Sequence, residues 1–257
     1  MKEEVKALCV TSLDNELFVH LKRDKYQIAV YNIDNFELLR HSEVPGLKAS
    51  DHNDMTSCVR HRCVYVSDSD NKCIHAWYRS AKTIHEWPLP NSPMGVSVTP
   101  SCNLLVTLLP RKLLELSGDG GKHVRLITLQ SEIEYPTHSA QLTTGEFVVS
   151  HGFEDDDLHQ VCLVDSDGKV KRSYGGQKGS KKGQLDLPFS LAVDKDSQLI
   201  VADHRNNRVV LLKPTMEFVR YVCEERSRPH HLYLHQATQR LFVSQSFTIG
   251  KVTVIQL

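Results

Sequence analysis

Residues 174–213 read Tyr174-Gly-Gly-Gln-Lys-Gly-Ser-Lys-Lys-Gly-Gln-Leu-Asp-Leu-Pro188, then Phe189-Ser-Leu-Ala-Val-Asp194, Leu199-Ile-Val-Ala-Asp203 and Arg208-Val-Val-Leu-Leu212. A glycine-rich loop enters through Pro188 into three short apolar runs parted by polar turns. Runs of this length, rich in Val, Ile and Leu, suit strands covered on both faces. Proline suits the first position of a strand, where no ladder donor is needed.

Weaker copies of this unit recur along the chain. The second apolar run of each copy ends at Val19, Val66, Val106, Val149, Val201 and Val243, spaced 40 to 52 residues apart, and the longest step contains the Gly175–Gly183 loop. The first runs align as Pro93-Met-Gly, Pro136-Thr-His, Pro188-Phe-Ser and Pro229-His-His, with Asp54-Met-Thr taking the place without a proline. Turn signals such as Leu13-Asp-Asn15 and Ser166-Asp-Gly168 separate the runs. A period near 40–45 residues with several strands per unit predicts an all-β, six-bladed β-propeller. A unit that cannot cover its own sheet must stack on neighbours, so the whole chain reads as one domain. Its blades fall at about 5–49, 50–91, 92–134, 135–185, 186–227 and 228–257. The last has material for only three strands, ending in Val252–Leu257. Its outer strand would come from before Val5, and Met1–Glu4 is too short, so a longer parent protein is expected.

Lys+Arg and Asp+Glu both number 31, which leaves no global field to draw nucleic acid or anionic lipid. The charged start, Met1-Lys-Glu-Glu-Val-Lys6, is no signal peptide, and no long apolar run predicts a membrane span. Seven cysteines, an odd number lodged in apolar runs, read as reduced thiols in a cytoplasmic protein.

The unit at 174–213 resembles the NHL repeat, in a fold of the NHL and TolB type. The resemblance rests on Gly175-Gly176, Gly183, Pro188, Asp194, Val201-Ala-Asp203 and Asn206-Asn-Arg208. The second unit keeps Val66-Ser-Asp68 and Asn71 but has Cys73 where the arginine would stand; the other units keep only the strand pattern. The resemblance implies a recognition module like the C-terminal propeller of TRIM-NHL proteins, which binds protein or RNA on one face. The RING and B-box segments that give those proteins ligase activity are not in this sequence.

Candidate residues follow from position in the repeat. Asp203 and Arg208, with Pro188, read as scaffold, because repeats reuse such pairs between strands. Arg205 and Asn206 lie at a loop tip. The loop lysines Lys178, Lys181 and Lys182 form a basic patch but no nucleotide loop, since a strand follows and not a helix. Asp165-Ser-Asp-Gly168 lacks the glutamate that a calcium loop needs and reads as a hairpin turn. Glu154–Asp157 reads as a solvated acidic loop. Cys58, His61, Cys63, Cys73 and His75 are zinc-ligand types at spacings that fit no finger. A ring of first-strand positions, Thr56, Gly95, His138, Ser190 and His231 with Lys6 completing it, should rim the central tunnel. No catalytic residue, metal, cofactor or nucleotide is expected.

Three functions stay open. The first is a protein-interaction scaffold. The second is single-stranded RNA binding on one face, through Arg60-His-Arg62, the loop lysines, Arg205 and Arg226–His231 (including His230 and His231) beside Phe189. The third is a metal-dependent hydrolase of the lactonase kind, for which the rim's His, Ser and Thr are a poor set for calcium.

Overall fold

The computed structural model describes residues 6–22, 26–48, 50–153, 158–224, 228–245 and 251–257. They form six small antiparallel sheets in a ring, a six-bladed β-propeller. Blade one holds β1 (Lys6–Leu13), β2 (Glu16–Lys22), β3 (Tyr26–Asn32) and β4 (Leu38–Ser42); blade two β5 (Met55–Cys58), β6 (Cys63–Asp68), β7 (Cys73–Tyr78) and β8 (Thr83–Pro88). Blade three holds β9 (Pro93–Val98), β10 (Leu104–Leu108), β11 (Lys112–Leu116) and β12 (His123–Thr128). Blade four holds β13 (Pro136–Gln141), β14 (Phe147–His151), β15 (Leu158–Val164) and β16 (Val170–Gln177). Blade five holds β17 (Pro188–Val193), β18 (Leu199–Asp203), β19 (Arg208–Leu212) and β20 (Phe218–Glu224), and blade six β21 (Pro229–His235), β22 (Arg240–Gln245) and β23 (Val252–Gln256). The repeat pattern and the three-stranded last blade are as the sequence predicts, and Pro93, Pro136, Pro188 and Pro229 each open an innermost strand.

Second strands are buried through their centres because a neighbouring blade covers each face; β10, β14 and β18 are buried along their whole length. Fourth strands alternate, as at β12, where Ile127 turns inward and most of its neighbours face out. The apolar core therefore lies between blades. The clusters of Leu104, Val106 and Tyr65, and of Leu199, Val201 and Val148, each span two sheets.

Polar ties near the axis join all six junctions. Thr11 Oγ1 donates to Ser57 Oγ (3.0 Å), the Val96 N–H to Asp54 Oδ2 (2.8 Å), and Thr107 Oγ1 meets Ser139 Oγ (2.6 Å). Thr137 Oγ1 donates to the Pro188 carbonyl (2.9 Å), the Leu232 N–H to Ser190 Oγ (3.1 Å), and the Val10 N–H to His231 Nδ1 (3.3 Å). The last of these closes the ring between blades six and one, helped by the Ser244 hydroxyl on the Leu8 carbonyl (2.7 Å).

The innermost strands begin at one face, called upper below, and run toward the other. The acidic run Glu154–Asp157, Arg226 and the residues before Lys6 lie outside the described residues.

Candidate functional site

Strand register sets which side chains share a level in the channel. Cys9 pairs with His20, Gly95 with Thr107 and His138 with Ser150. Ser190 and His231 stand one step before Leu191 and Leu232, which pair with Val201 and Val243. In blade two the residue at that level is Asp54, whose carbonyl accepts the Ser67 N–H (2.9 Å) and whose N–H donates to Ser67 Oγ (2.8 Å). The waist of the channel is therefore Cys9, Asp54, Gly95, His138, Ser190 and His231. This corrects the sequence alignment at two places: Thr56 and Lys6 are not members. Blade two has no leading proline, and setting Asp54 against the prolines of other blades slid its strand by two residues. A two-residue slip keeps the same face of a strand, so Thr56 still lines the channel, lower down.

Asp54 is 5 % exposed and spends its whole carboxylate on the waist. Oδ1 accepts its neighbour Met55 N–H (2.8 Å) and lies 2.8 Å from His231 Nε2; Oδ2 accepts the Val96 N–H (2.8 Å) and lies 3.5 Å from His138 Nε2. Burial opposes its charge, but His231, then His138 and the Val96 N–H, outweigh that and bring its pKa down to about 2. Burial, partly offset by Asp54, lowers His138 to about 4, so its ring is neutral at pH 7. His138 Nδ1 is buried with no hydrogen-bond partner in the protein. Gly95 makes room for this ring: a methyl there would meet the His138 Cδ2 at 2.9 Å and the Thr137 carbonyl at 2.8 Å.

Asp54, His138 and His231 bring three side chains of metal-ligating type within reach of one another. His231, however, accepts the Val10 N–H at Nδ1, so its proton sits on Nε2 and points at the carboxylate. A metal on Nε2 would move that proton to Nδ1, against a backbone donor. The trio fits a hydrogen-bonded tie across blades two, three, four and six better than a metal centre.

His138 and His231 wall two cavities at once. Below them opens a funnel of about 630 Å³ that includes Thr56, Val96 and Lys195; above them a pocket of about 10 Å³ touches Phe189, Ser190 and His230.

The remaining sequence candidates are dispersed over the upper face. Phe189 stacks on His230 (4.2 Å between centroids) and lies 5.9 Å from His204, so one ring face is taken within the protein. His230 Nδ1 faces the Leu8 carbonyl (3.2 Å) and His204 Nδ1 the Pro229 carbonyl (3.0 Å); burial first, then the neighbouring His204 and His231, lowers His230 to about 3, and burial first, then Arg228 and Arg205, lowers His204 to about 4. Ser190 Oγ is spent on the Leu232 N–H. Arg208 Nε meets Asp203 Oδ2 at 2.7 Å and its guanidinium donates to the carbonyls of Ser180 and Gln184, while Asn206 bonds Asp203 and the Gly179 carbonyl. This network pins the glycine loop just ahead of Pro188. Burial raises the Asp203 pKa by more than these donors lower it. Lys178 lies 3.8 Å and Arg205 4.0 Å from Asp186, and Lys182 lies over the Phe218 ring; Lys181 is exposed. The basic patch is thus interleaved with acid.

Blade two repeats the Asp203 network with other residues. Asp68 accepts the Lys48 N–H (2.8 Å) and Asn71 Nδ2 (2.9 Å), as Asp203 accepts the Asp186 N–H and Asn206. His75 Nε2, 3.3 Å away, fills the arginine's role where Cys73 has replaced it. Cys58, Cys63 and His61 do not join Cys73 and His75; the third group there is Asp68. Burial pushes the Cys63, Cys73 and Cys162 thiols up to about 12. Asp165 caps its own turn, accepting the N–H groups of Asp167 and Lys169.

Sequence reasoning missed a groove of about 320 Å³ on the upper face between blades two, three and four. His52, Met94, Tyr135 and Phe153 wall it; Tyr135 is 41 % exposed, and His52 Nδ1 is buried without a protein partner. An aromatic residue just ahead of the blade-opening Pro136 was the available signal.

No protein-family model matches the chain. Among solved structures it is similar to virginiamycin B lyase from Staphylococcus aureus, with 13% identity, covering 99% of this chain and 85% of that one at a TM-score of 0.68. It is similar to a protein of unknown function from Bacteroides thetaiotaomicron at 11% identity, covering 98% and 70% at 0.76. It is also similar to Kuenenia stuttgartiensis hydrazine synthase at 13% identity, covering 98% and 96% at 0.67. At these identities the likeness is one of fold.

Proposed function

We propose that this propeller is a non-catalytic recognition scaffold of the NHL type, and that it takes a protein partner on its upper face. The observation that carries the reading is the groove around Tyr135. It joins an exposed aromatic ring, apolar walls and an unpaired histidine nitrogen, the mixture found at the energetic centre of protein interfaces. The Asp54 carboxylate, by contrast, is committed to internal bonds.

The test is selection of peptides from a displayed random library against the 257-residue chain. Selected peptides are expected to bind Tyr135→Ala about tenfold or more weakly, with an unchanged melting temperature. Peptides that bind both proteins alike would overturn the assignment. Salt-dependent affinity for a random RNA pool would move it to RNA.

One observation favours a second reading, an enzyme acting at the waist. The unpaired His138 Nδ1 is a neutral base beside a large funnel. Turnover of lactones or esters that His138→Ala abolishes would select this reading over the first.

A further inference from the structure

Blade two keeps the aspartate clamp of blade five but not its cation. In blade five the buried Asp203 carboxylate is met by the Arg208 guanidinium at 2.7 Å. In blade two Asn71 Nδ2 donates to the Gly46 carbonyl (2.9 Å) as Asn206 does to that of Gly179, and Asp68, fully buried, stands where Asp203 does. The residue paired with Asp68 on the next strand is Cys73, where blade five has its arginine. Among the described residues only His75, itself buried, lies within ion-pair distance of Asp68. A buried carboxylate without a permanent cation is costly.

Strand register puts four side chains of metal-ligating type on one face of this sheet. Asp68 of β6 pairs with Cys73 of β7, and two residues further on His75 pairs with Glu86 of β8. Cys73 Sγ lies 3.6 Å from His75 Nε2, which lies 3.3 Å from Asp68 Oδ2. A tetrahedral zinc with ordinary bond lengths sets sulfur and nitrogen ligands about 3.6 Å apart and nitrogen and oxygen ligands about 3.3 Å apart. A sulfur–nitrogen contact alone makes no site: Cys162 Sγ is 3.5 Å from His151 Nε2 and Cys9 Sγ 3.7 Å from His20 Nδ1, and neither pair has a carboxylate grouped with it. The waist trio differs too, because a backbone N–H occupies Nδ1 of His231. Among the described residues nothing donates to His75 Nδ1, so that nitrogen can carry the ring's proton and leave Nε2 to a metal. The Lys48 N–H and the Asn71 amide hold Asp68 Oδ2 at 2.8 and 2.9 Å, bonds of the kind that orient a ligating carboxylate. A metal would replace the imidazole proton between His75 and that oxygen without adding a partner. Burial first, then Glu86 and Asp68, push the Cys73 thiol up to about 12, so it keeps its proton until a cation displaces it.

We propose that Asp68, Cys73, His75 and Glu86 bind a zinc ion, which supplies the charge that arginine supplies in blade five and pins the loop at Gly46 and Lys48. As the sulfur–zinc bond forms, the Cys73 thiol releases its proton to solvent and His75 keeps its own on Nδ1. Glu86, exposed beside the thiol, closes the fourth position. The ligands come from three strands, which is why their spacing fits no finger. This site is separate from the Tyr135 groove, and its failure would leave that reading untouched.

The test is titration of the 257-residue chain, stripped of metal by a chelator, with cobalt(II) as a coloured substitute for zinc. Saturation is expected at about one equivalent, with a thiolate charge-transfer band and the visible bands of a tetrahedral ion, all erased by added zinc. Zinc should also raise the melting temperature of the stripped chain. Cys73→Ser should lose the charge-transfer band, Glu86→Gln should weaken binding about tenfold or more, and Cys162→Ser should change neither. Cys73→Arg, which restores the residue of blade five, should fold, bind no cobalt and melt at the same temperature with zinc or without it. No charge-transfer band in excess cobalt, or a band that survives Cys73→Ser, would overturn the proposal. So would a band that Cys162→Ser abolishes, because the metal would then sit in another blade.

Discussion

At the residue scale, Asp54 concentrates the most consequence in the fewest atoms. One carboxylate engages a neighbouring N–H, a backbone donor of blade three and imidazoles of blades four and six. Removing it leaves buried donors unmatched, and breaking a buried charged network typically costs about 3–5 kcal/mol. Asp54→Ala should lose stability on that scale in urea denaturation, and Asp54→Asn less, because the amide oxygen still accepts. His138, Ser190 and His231 were legible as a ring because their blades share a leading proline. Asp54 was not, because its blade lacks that marker and only strand pairing fixes its level. Its signal was present all the same, as the single charged residue aligned with four prolines.

At the element scale, the glycine loop before β17 shows a motif whose parts explain each other. Arg208 and Asn206 hold the carbonyls of Gly179, Ser180 and Gln184, so the spacing of Asp203, Asn206 and Arg208 encodes a loop clamp. Arg208→Ala should free the loop and open Lys181 and Lys182 to trypsin; limited proteolysis followed by mass spectrometry would find new cuts there, and an intact loop would refute the clamp. Asp203 would also remain buried without its cation, so melting should fall as well. The pairing of Asp203 with Arg208 could be read from spacing. The blade-two version could not, because His75 reaches Asp68 from two residues beyond the arginine's position. Loop lysines that looked like a patch in sequence point to different partners, Asp186 and Phe218, since side-chain direction in an irregular loop has no period to read.

At the scale of the whole molecule, buried neutral histidines set an acid limit. Burial lowers His20 and His138 to about 4, His204 to about 4 and His230 to about 3, against 6.5 for a free ring. Between those values the unfolded chain binds protons that the folded one refuses, so stability is lost as pH falls from about 6.5 to about 4. Asp54, lowered to about 2, adds to the loss only below its ordinary value of 3.8. A tenfold difference in proton affinity is worth about 1.4 kcal/mol, so these rings together account for several kcal/mol. Thermal melts from pH 7 to 4 should show a steady decline, reduced in His138→Ala relative to its own value at pH 7; a flat profile would contradict it. The six-fold repeat was readable from sequence because each blade repeats its short apolar runs and the turns between them. The level at which blades one and two meet the channel was not, since strand pairing fixes it there and no leading proline marks it.

The six junctions are not equal as mechanical joints. Four have an inner polar tie near the axis and an apolar plug from a fourth strand at the rim. Between blades six and one the inner tie holds, and among the described residues the rim keeps a groove of about 320 Å³ between Leu17 and Phe242. A hoop fails at its weakest joint, so thermal breathing should part these two blades, exposing Leu17 and Phe242, before the four plugged pairs.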